Sequence, residues 1–235
     1  PFTLLGTGLL WFGWFGFNAG SALAANNIAA LAFTTTMLAP AGTLVVWALL
    51  DMIRIQKTTA VGAATAIVVG LVAITPAAGF VGPMSAIVLG GLAAIPSYFG
   101  LLWRAKTNLD DSLDVVAAHG VGGTFGALLT GVFAQKALNG VADGLLFGNP
   151  GQLATQAIAV AAAALFSGVM SFVLLKLVAL VFPLVANEDE QTLGLDLAAH
   201  GEEAYVYATG SVVEERAGAE GGMVPAFAMR TAEAE

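Results

Sequence analysis

Six long apolar stretches, at about 2–25, 28–50, 58–75, 83–103, 112–135 and 152–186, alternate with short polar breaks along the chain. A helix needs about 20 predominantly apolar residues to cross roughly 30 Å of hydrocarbon, and these runs reach or approach that length. Lipid offers backbone groups no hydrogen-bond partner, so a spanning segment is either a helix or a strand of a closed barrel. None of the runs alternates strictly between apolar and polar positions, which selects helices. The last run exceeds what a bilayer requires, and tilt or continuation past the surface accommodates the excess. The pattern predicts an all-α polytopic membrane protein with its transmembrane domain in residues 1–186.

The pattern breaks at Asn187-Glu188-Asp189-Glu190. Residues 187–208 still mix hydrophobic and turn residues and read as an ordered cytoplasmic tail. Residues 209–235 are rich in Ala, Gly and Glu with few large apolar side chains, which predicts disorder. Orientation follows from the basic residues of the short loops. Arg54 and Lys57 mark one loop and Arg104 and Lys106 another, both on the same face if every run crosses, whereas the opposite loops hold only Lys136. The face of 51–57 is therefore read as cytoplasmic, and an even number of spans puts Pro1 and the tail there too. The chain opens on an apolar helix without an initiator Met, which points to residues upstream.

Composition narrows the class. The 235 residues are 58% hydrophobic and 10% charged, where soluble domains are near a quarter charged. The net charge of −8 belongs mostly to the tail after Asn187. Absence of cysteine excludes disulfides, thiolate metal sites and a cysteine nucleophile. Eight basic residues scattered along the chain cannot build a nucleic-acid face. No P-loop, GxSxG, HExxH or cluster of metal ligands occurs, so no enzyme, cofactor or metal is expected. The 29 glycines, often paired with small residues four apart, as at Gly122 and Gly126, read as close helix packing in lipid.

Four features carry candidate chemistry. Trp11-Phe12-Gly13-Trp14-Phe15-Gly16-Phe17-Asn18-Ala19-Gly20-Ser21 concentrates aromatics near the outer face. It reads either as an interfacial belt or as a vestibule holding a cation by cation–π attraction, with Ser21 as a hydroxyl acceptor. His119, in Val115-Val116-Ala117-Ala118-His119-Gly120-Val121-Gly122-Gly123, is a solitary imidazole inside an apolar run, and such a residue is costly unless used. It reads as a relay for a proton or small polar molecule, against the alternative of a packed histidine bonded to a carbonyl. Asp110, Asp111 and Asp114 precede it. The first two are cap candidates, while Asp114, read as one turn inside the helix, needs a specific partner. Nine residues from Asp110 to His119 would span roughly 13 Å of helix, about mid-bilayer. His200-Gly201-Glu202-Glu203-Ala204-Tyr205 lies in the tail, where a histidine is usually just solvated.

Taken together, these residues resemble the ammonium transporter family (the Amt/Mep/Rh superfamily), specifically its bacterial branch. The carrying motifs, in the family's order, are Gly13 to Ser21, Ala29-Ala30-Leu31-Ala32-Phe33 and Gly70-Leu71-Val72-Ala73-Ile74-Thr75-Pro76-Ala77-Ala78-Gly79. They continue through Asp114 to Gly123 and Leu193-Gly194-Leu195-Asp196, with His200 to Tyr205. The resemblance covers about Pro1 to Tyr205. It implies a fold of eleven helices, ten of them in two inverted repeats of five around a pore, assembled as a homotrimer. This chain corresponds to the second repeat, the long eleventh helix (152–186) and the regulatory tail.

The resemblance assigns His119 as the second of two pore histidines and Phe17 as one of two gating phenylalanines. It gives Ser21 the hydroxyl that binds ammonium at the recruitment site, with Trp14 nearby, and makes Val115 an apolar pore-lining residue. Asp114 matches a structural carboxylate at the inner end, with Asp111 beside it, while Asn18 and Thr75 match positions near the path. In the tail, His200, Gly201, Glu202 and Tyr205 match a segment that meets PII-type signalling proteins. The first repeat is absent, and with it the other histidine, the second gating phenylalanine, the vestibule tryptophan and the recruitment aspartate. The implied function is ammonium/ammonia transport across the cytoplasmic membrane, with this chain as the C-terminal part and an N-terminal half supplied elsewhere. An ammonium sensor signalling through the tail, or a carbon dioxide channel, are the alternatives.

Overall fold

The computed structural model of the chain describes residues 1–202, and every described regular element is helical. In order these are α1 (Phe2–Gly20), α2 (Asn27–Ile55), α3 (Ala60–Ile74) and α4 (Pro83–Arg104). A π turn (Val116–Val121) runs directly into α5 (Gly122–Phe133). Then follow the short α6 (Lys136–Asn139), a 3₁₀ turn (Leu145–Phe147), α7 (Gly151–Val178), α8 (Glu188–Leu193) and α9 (Leu195–His200). The chain divides into two units after Met170. Tyr205 and the segment 209–235 lie outside the described residues.

Within the first unit α2 is the hub, and glycines set the spacing. A Cβ on Gly42 of α2 would meet the Ile87 carbonyl of α4, and one on Gly90 of α4 would meet the Ala39 carbonyl of α2. Gly70 of α3 lies against Pro40 and Thr43 of α2, and Gly126 of α5 against the backbone of Ala73. Helices gain little from the hydrophobic effect in lipid, so this backbone-to-backbone approach, with its dispersion contacts, is what holds them together. Two apolar clusters fill the seams, one around Ile74, Val81 and Leu89 and the other around Trp47, Val69 and Tyr98.

α3 is the most enclosed element, with every residue from Val69 to Ile74 buried. Its 15 residues cover about 22 Å at the helical rise, less than the hydrocarbon thickness. Protein groups therefore satisfy its ends. The α2 carboxylate Asp51, only 5% exposed, accepts from the Thr59 amide (3.3 Å) and hydroxyl (3.2 Å) and from Tyr98 Oη (3.0 Å). Thr59 in turn caps α3 by accepting from the Gly62 amide at 3.0 Å. Four helices are long and apolar enough to cross a membrane: α2, α4, Val116–Phe133 and α7.

Several boundaries differ from the sequence expectation for physical reasons. α1 stops at Gly20, short of 25, because the connector turns through a left-handed Leu23 and Asn26 then caps α2. α2 runs on to Ile55, past 50, and ends where Gln56 turns left-handed. The helix expected from 112 begins only at the π turn, because Asp114 is left-handed (φ 55°). α7 ends at Val178, ahead of 186, with Pro183 unable to continue a helix. No residue of α7 is buried, and Lys176 Nζ lies 5.6 Å from the Phe172 ring centroid.

Candidate functional site

α1 is fastened to its neighbours by its polar groups, and this sets the aromatic cluster. Trp14 Nε1 donates to Thr75 Oγ1 at the end of α3 (2.8 Å), and Thr75 passes its own proton to the Leu71 carbonyl (2.8 Å). The buried Asn18 donates to Thr36 Oγ1 of α2 (2.9 Å), while Trp11 donates to the Thr36 carbonyl (3.2 Å). Phe17 meets Trp14 edge to face with ring centroids 5.9 Å apart. It is 62% exposed, and the two rings share an open apolar recess with Leu9, Leu10 and Gly13. Ser21 is exposed and donates to the Phe17 carbonyl at 2.8 Å. With its proton engaged there, the hydroxyl can only accept further hydrogen bonds, through its two lone pairs.

The second group is built on the π turn. Asp111 caps it, with one carboxylate oxygen accepting from the Val115 amide and the other from Val116, each at 2.8 Å. Asp114 is not inside the helix, as the sequence suggested, but ahead of it in a left-handed conformation that Asp tolerates. Its partner is the Arg104 guanidinium at the end of α4. The helical stretch therefore begins at Val116, and the depth of roughly 13 Å inferred by counting helical rise from Asp110 does not apply. The turn buries Ala117 and Ala118 against its neighbours and exposes Val115, Val116, His119 and Gly120. π turns recur at functional sites because the extra residue re-aims side chains.

The bond from the Val116 amide to Asp111, with that from Val115, holds the Asp111 carboxyl below the ordinary carboxylate range. A depressed carboxyl contributes its capping above its unfolded-state pKa and loses it as pH falls through the lower folded value. Protection of the Val115 and Val116 amides from hydrogen exchange is expected to be intact at neutral pH and to drop on acidification below the carboxylate range. Unchanged protection factors on acidification well below that range would contradict the capping role.

The structure brings Trp14, Phe17, Thr75 and Ser21 together, and separately His119, Val115, Asp111 and Asp114. Among the described residues no hydrogen bond joins the two groups. α3 supports both, holding α1 through Thr75 and lying against Gly122, Gly123 and Gly126 through Val69, Val72 and Ala73. Sequence reasoning passed over Thr36 and Asp51, and took Arg104 only as a loop charge that sets orientation. Asp51 had a signal available, since a carboxylate framed by Leu49, Leu50, Met52 and Ile53 has no obvious polar face. In the tail, α8 opens with a reciprocal capping box between Asn187 and Glu190, and Gly201 ends α9 in a left-handed turn that follows the exposed His200. Glu202 is the last described residue. No group of three or more metal-ligating side chains occurs among the described residues.

This is a multi-pass α-helical membrane protein. The Ammonium Transporter Family model matches residues 1–205, and the chain belongs to that family. It is 44% identical over 206 residues to an ammonium transporter of Bacillus subtilis, covering 87% of this chain and 51% of that protein. With ammonium transporter Amt1 of Archaeoglobus fulgidus the identity is 45% over 207 residues, covering 87% and 52%. The fold matches the crystal structure of Saccharomyces cerevisiae Mep2 with a TM-score of 0.76 at 35% identity, covering 87% of this chain and 48% of that one. It matches a structure described as a Sensor Amt Protein with a TM-score of 0.75 at 33% identity, covering 83% and 48%. The chain spans about half the length of the curated relatives it matches.

Proposed function

We propose that this chain is the C-terminal part of an ammonium/ammonia transporter of the cytoplasmic membrane, with its tail on the cytoplasmic side and three copies per assembly. The observation that carries the reading is the pairing of family membership across residues 1–205 with the exposure of Phe17, Val115 and His119. Side chains of this kind left facing outward fit a path closed by a second set of helices.

In this reading ammonium is recruited beside Trp14 and Phe17 by cation–π attraction and by donating a hydrogen bond to the Ser21 hydroxyl oxygen. A bare cation in an apolar tube is prohibitively costly, so ammonium gives up its proton to solvent water in the open recess beside Phe17. Ammonia then passes the imidazole of His119, a ring type that in its neutral form offers one donor and one acceptor. Potassium has no proton to give up and is excluded on that ground. Asp114, through Arg104, and Asp111, through two amides, fix the inner end of the turn. The test is flux: the complete transporter in liposomes is expected to show saturable ammonium uptake.

Sensing is the second reading, favoured by likeness to the structure described as a Sensor Amt Protein. The capped α8 and α9 would then change their packing when ammonium binds and engage a PII-type partner. Ammonium binding without uptake would select this reading over transport.

A further inference from the structure

α1 buries Thr7 and Asn18 and no other residue within this chain, so close packing does little to fix its rotation about its own axis. That falls to directed contacts. Trp11, Trp14 and Asn18 recur at spacings of three and four, which at about 100° per residue gathers them on one stripe. All three donate to neighbouring helices, Trp14 to Thr75 of α3 and the other two to a single residue of α2, Thr36. Leu10, Gly13 and Phe17 lie about 100° further round α1, on the face of the open recess. Turning α1 on its stripe therefore turns Phe17. Phe15 also stacks on Phe33 of α2, with ring centroids 4.3 Å apart. A stack keeps two helices close but does not fix an angle as near-linear hydrogen bonds do.

Thr36 is completely buried and offers α1 two acceptors side by side. Its Oγ1 receives the Asn18 side-chain amide at 2.9 Å while passing its own proton to the Ala32 carbonyl at 2.6 Å. Its main-chain carbonyl receives the Trp11 indole at 3.2 Å. In an unbroken α-helix that carbonyl would be taken by the amide four residues on. That position is Pro40, inside α2, which has no N–H to give and whose ring presses the carbonyl out of line. The proline leaves an acceptor open in mid-helix, and Trp11 fills it. We propose that Thr36, with its carbonyl freed by Pro40, is a positioning residue for ammonium recruitment. It sets the rotation of α1 and so presents Phe17 beside Trp14. The proposal deepens the transport reading and rests on it for its significance.

The test uses the complete transporter reconstituted in liposomes, carrying Pro40→Ala or Thr36→Val, with Thr36→Ser and Thr43→Val as controls. Three quantities are read: the ¹⁵N–¹H signals of the Trp11 and Trp14 indoles, the half-saturating ammonium concentration beside the maximal rate, and the melting midpoint. Pro40→Ala returns an amide to the Thr36 carbonyl and draws it back along the axis, removing no atom that α1 bonds. It also removes a helix breaker, so a merely structural role predicts an equal or higher midpoint with indoles and uptake unchanged. The positioning role predicts that Pro40→Ala and Thr36→Val both displace the Trp14 signal, although neither touches the Trp14–Thr75 bond. Half-saturation then rises several-fold, with a smaller change in maximal rate. Thr36→Ser keeps the hydroxyl, and Thr43→Val removes one bonded to the Ala39 carbonyl of its own helix; both are expected to match the parent. Thr36→Val strands the Asn18 amide, so Pro40→Ala decides the matter if that variant does not fold. A Trp14 signal that stays in place in every folded variant, or one that moves while half-saturation does not, would overturn the proposal. Should the parent show no saturable uptake while the indole still moves, the transport reading fails and the setting of α1 by Thr36 stands.

Discussion

Alanine at His119 is expected to lower ammonium uptake by the complete transporter roughly ten- to hundredfold, or to open the path to potassium. The scale follows from the hydrogen bonds lost. Leaving a polar group unpaired away from water costs about 1–3 kcal/mol, and each 1.4 kcal/mol or so on a barrier is tenfold in rate. The ring of His119 is exposed on its turn and makes no hydrogen bond among the described residues, so its replacement leaves no partner stranded in this chain. A loss of transport therefore reports on the substrate path and not on folding. The measurement is radiotracer or pH-coupled uptake beside a potassium flux, with melting of the purified protein as control. Unchanged uptake and unchanged selectivity would remove His119 from the mechanism.

The second large effect concerns the crossing of α2 and α4. Gly90→Val is expected to prevent accumulation of folded protein, or to lower its melting midpoint in detergent sharply. Overpacking a tight core costs about 1–3 kcal/mol and sometimes more, against a total stability of about 5–15 kcal/mol. Here the new methyl groups would meet the main chain of Ala39, and a carbonyl cannot rotate aside as a side chain can. The reciprocal contact of Gly42 with Ile87 means that separating the helices at one point loosens the other. Gly13→Ala is the control, since nothing lies within 4 Å of that position in this chain. A Gly90→Val protein that melts with the parent would show that the crossing is not set by these glycines.

Much of this architecture was legible in the chain. Runs of apolar residues long enough to span lipid announce helices, because bilayer thickness and backbone satisfaction leave no other solution. The motif strings around Asn18, Thr75 and His119 brought the family into view, and the match over residues 1–205 places the chain in it. The local conformation near His119 was not legible. Val115 to Gly123 reads as an ordinary apolar helix, since one additional residue in a turn leaves no compositional mark beyond nearby glycines. Asp114 looked like an interior helical residue because nothing in sequence shows the Arg104 guanidinium ten positions earlier turning toward it. Trp14 and Thr75, 61 residues apart, meet only through the packing of α1 on α3, which no local pattern encodes. Asp51 escaped notice because a carboxylate just before a basic loop resembles a surface charge, whereas burial and Tyr98 make it a support for α3.

α3 is strongly apolar and yet largely walled in by protein, while α7 is apolar all round with no buried residue. Evolution should therefore treat two similar-looking segments under different rules. Along α7 nothing within this chain distinguishes a leucine from an isoleucine or a phenylalanine, so only surfaces supplied from outside the chain can fix the choice. Along α3 each position is measured by the volume its neighbours leave, so drift there has to proceed by matched changes in α2, α4 or α5. The segment that looks most like a generic greasy helix would be the slowest clock in the chain.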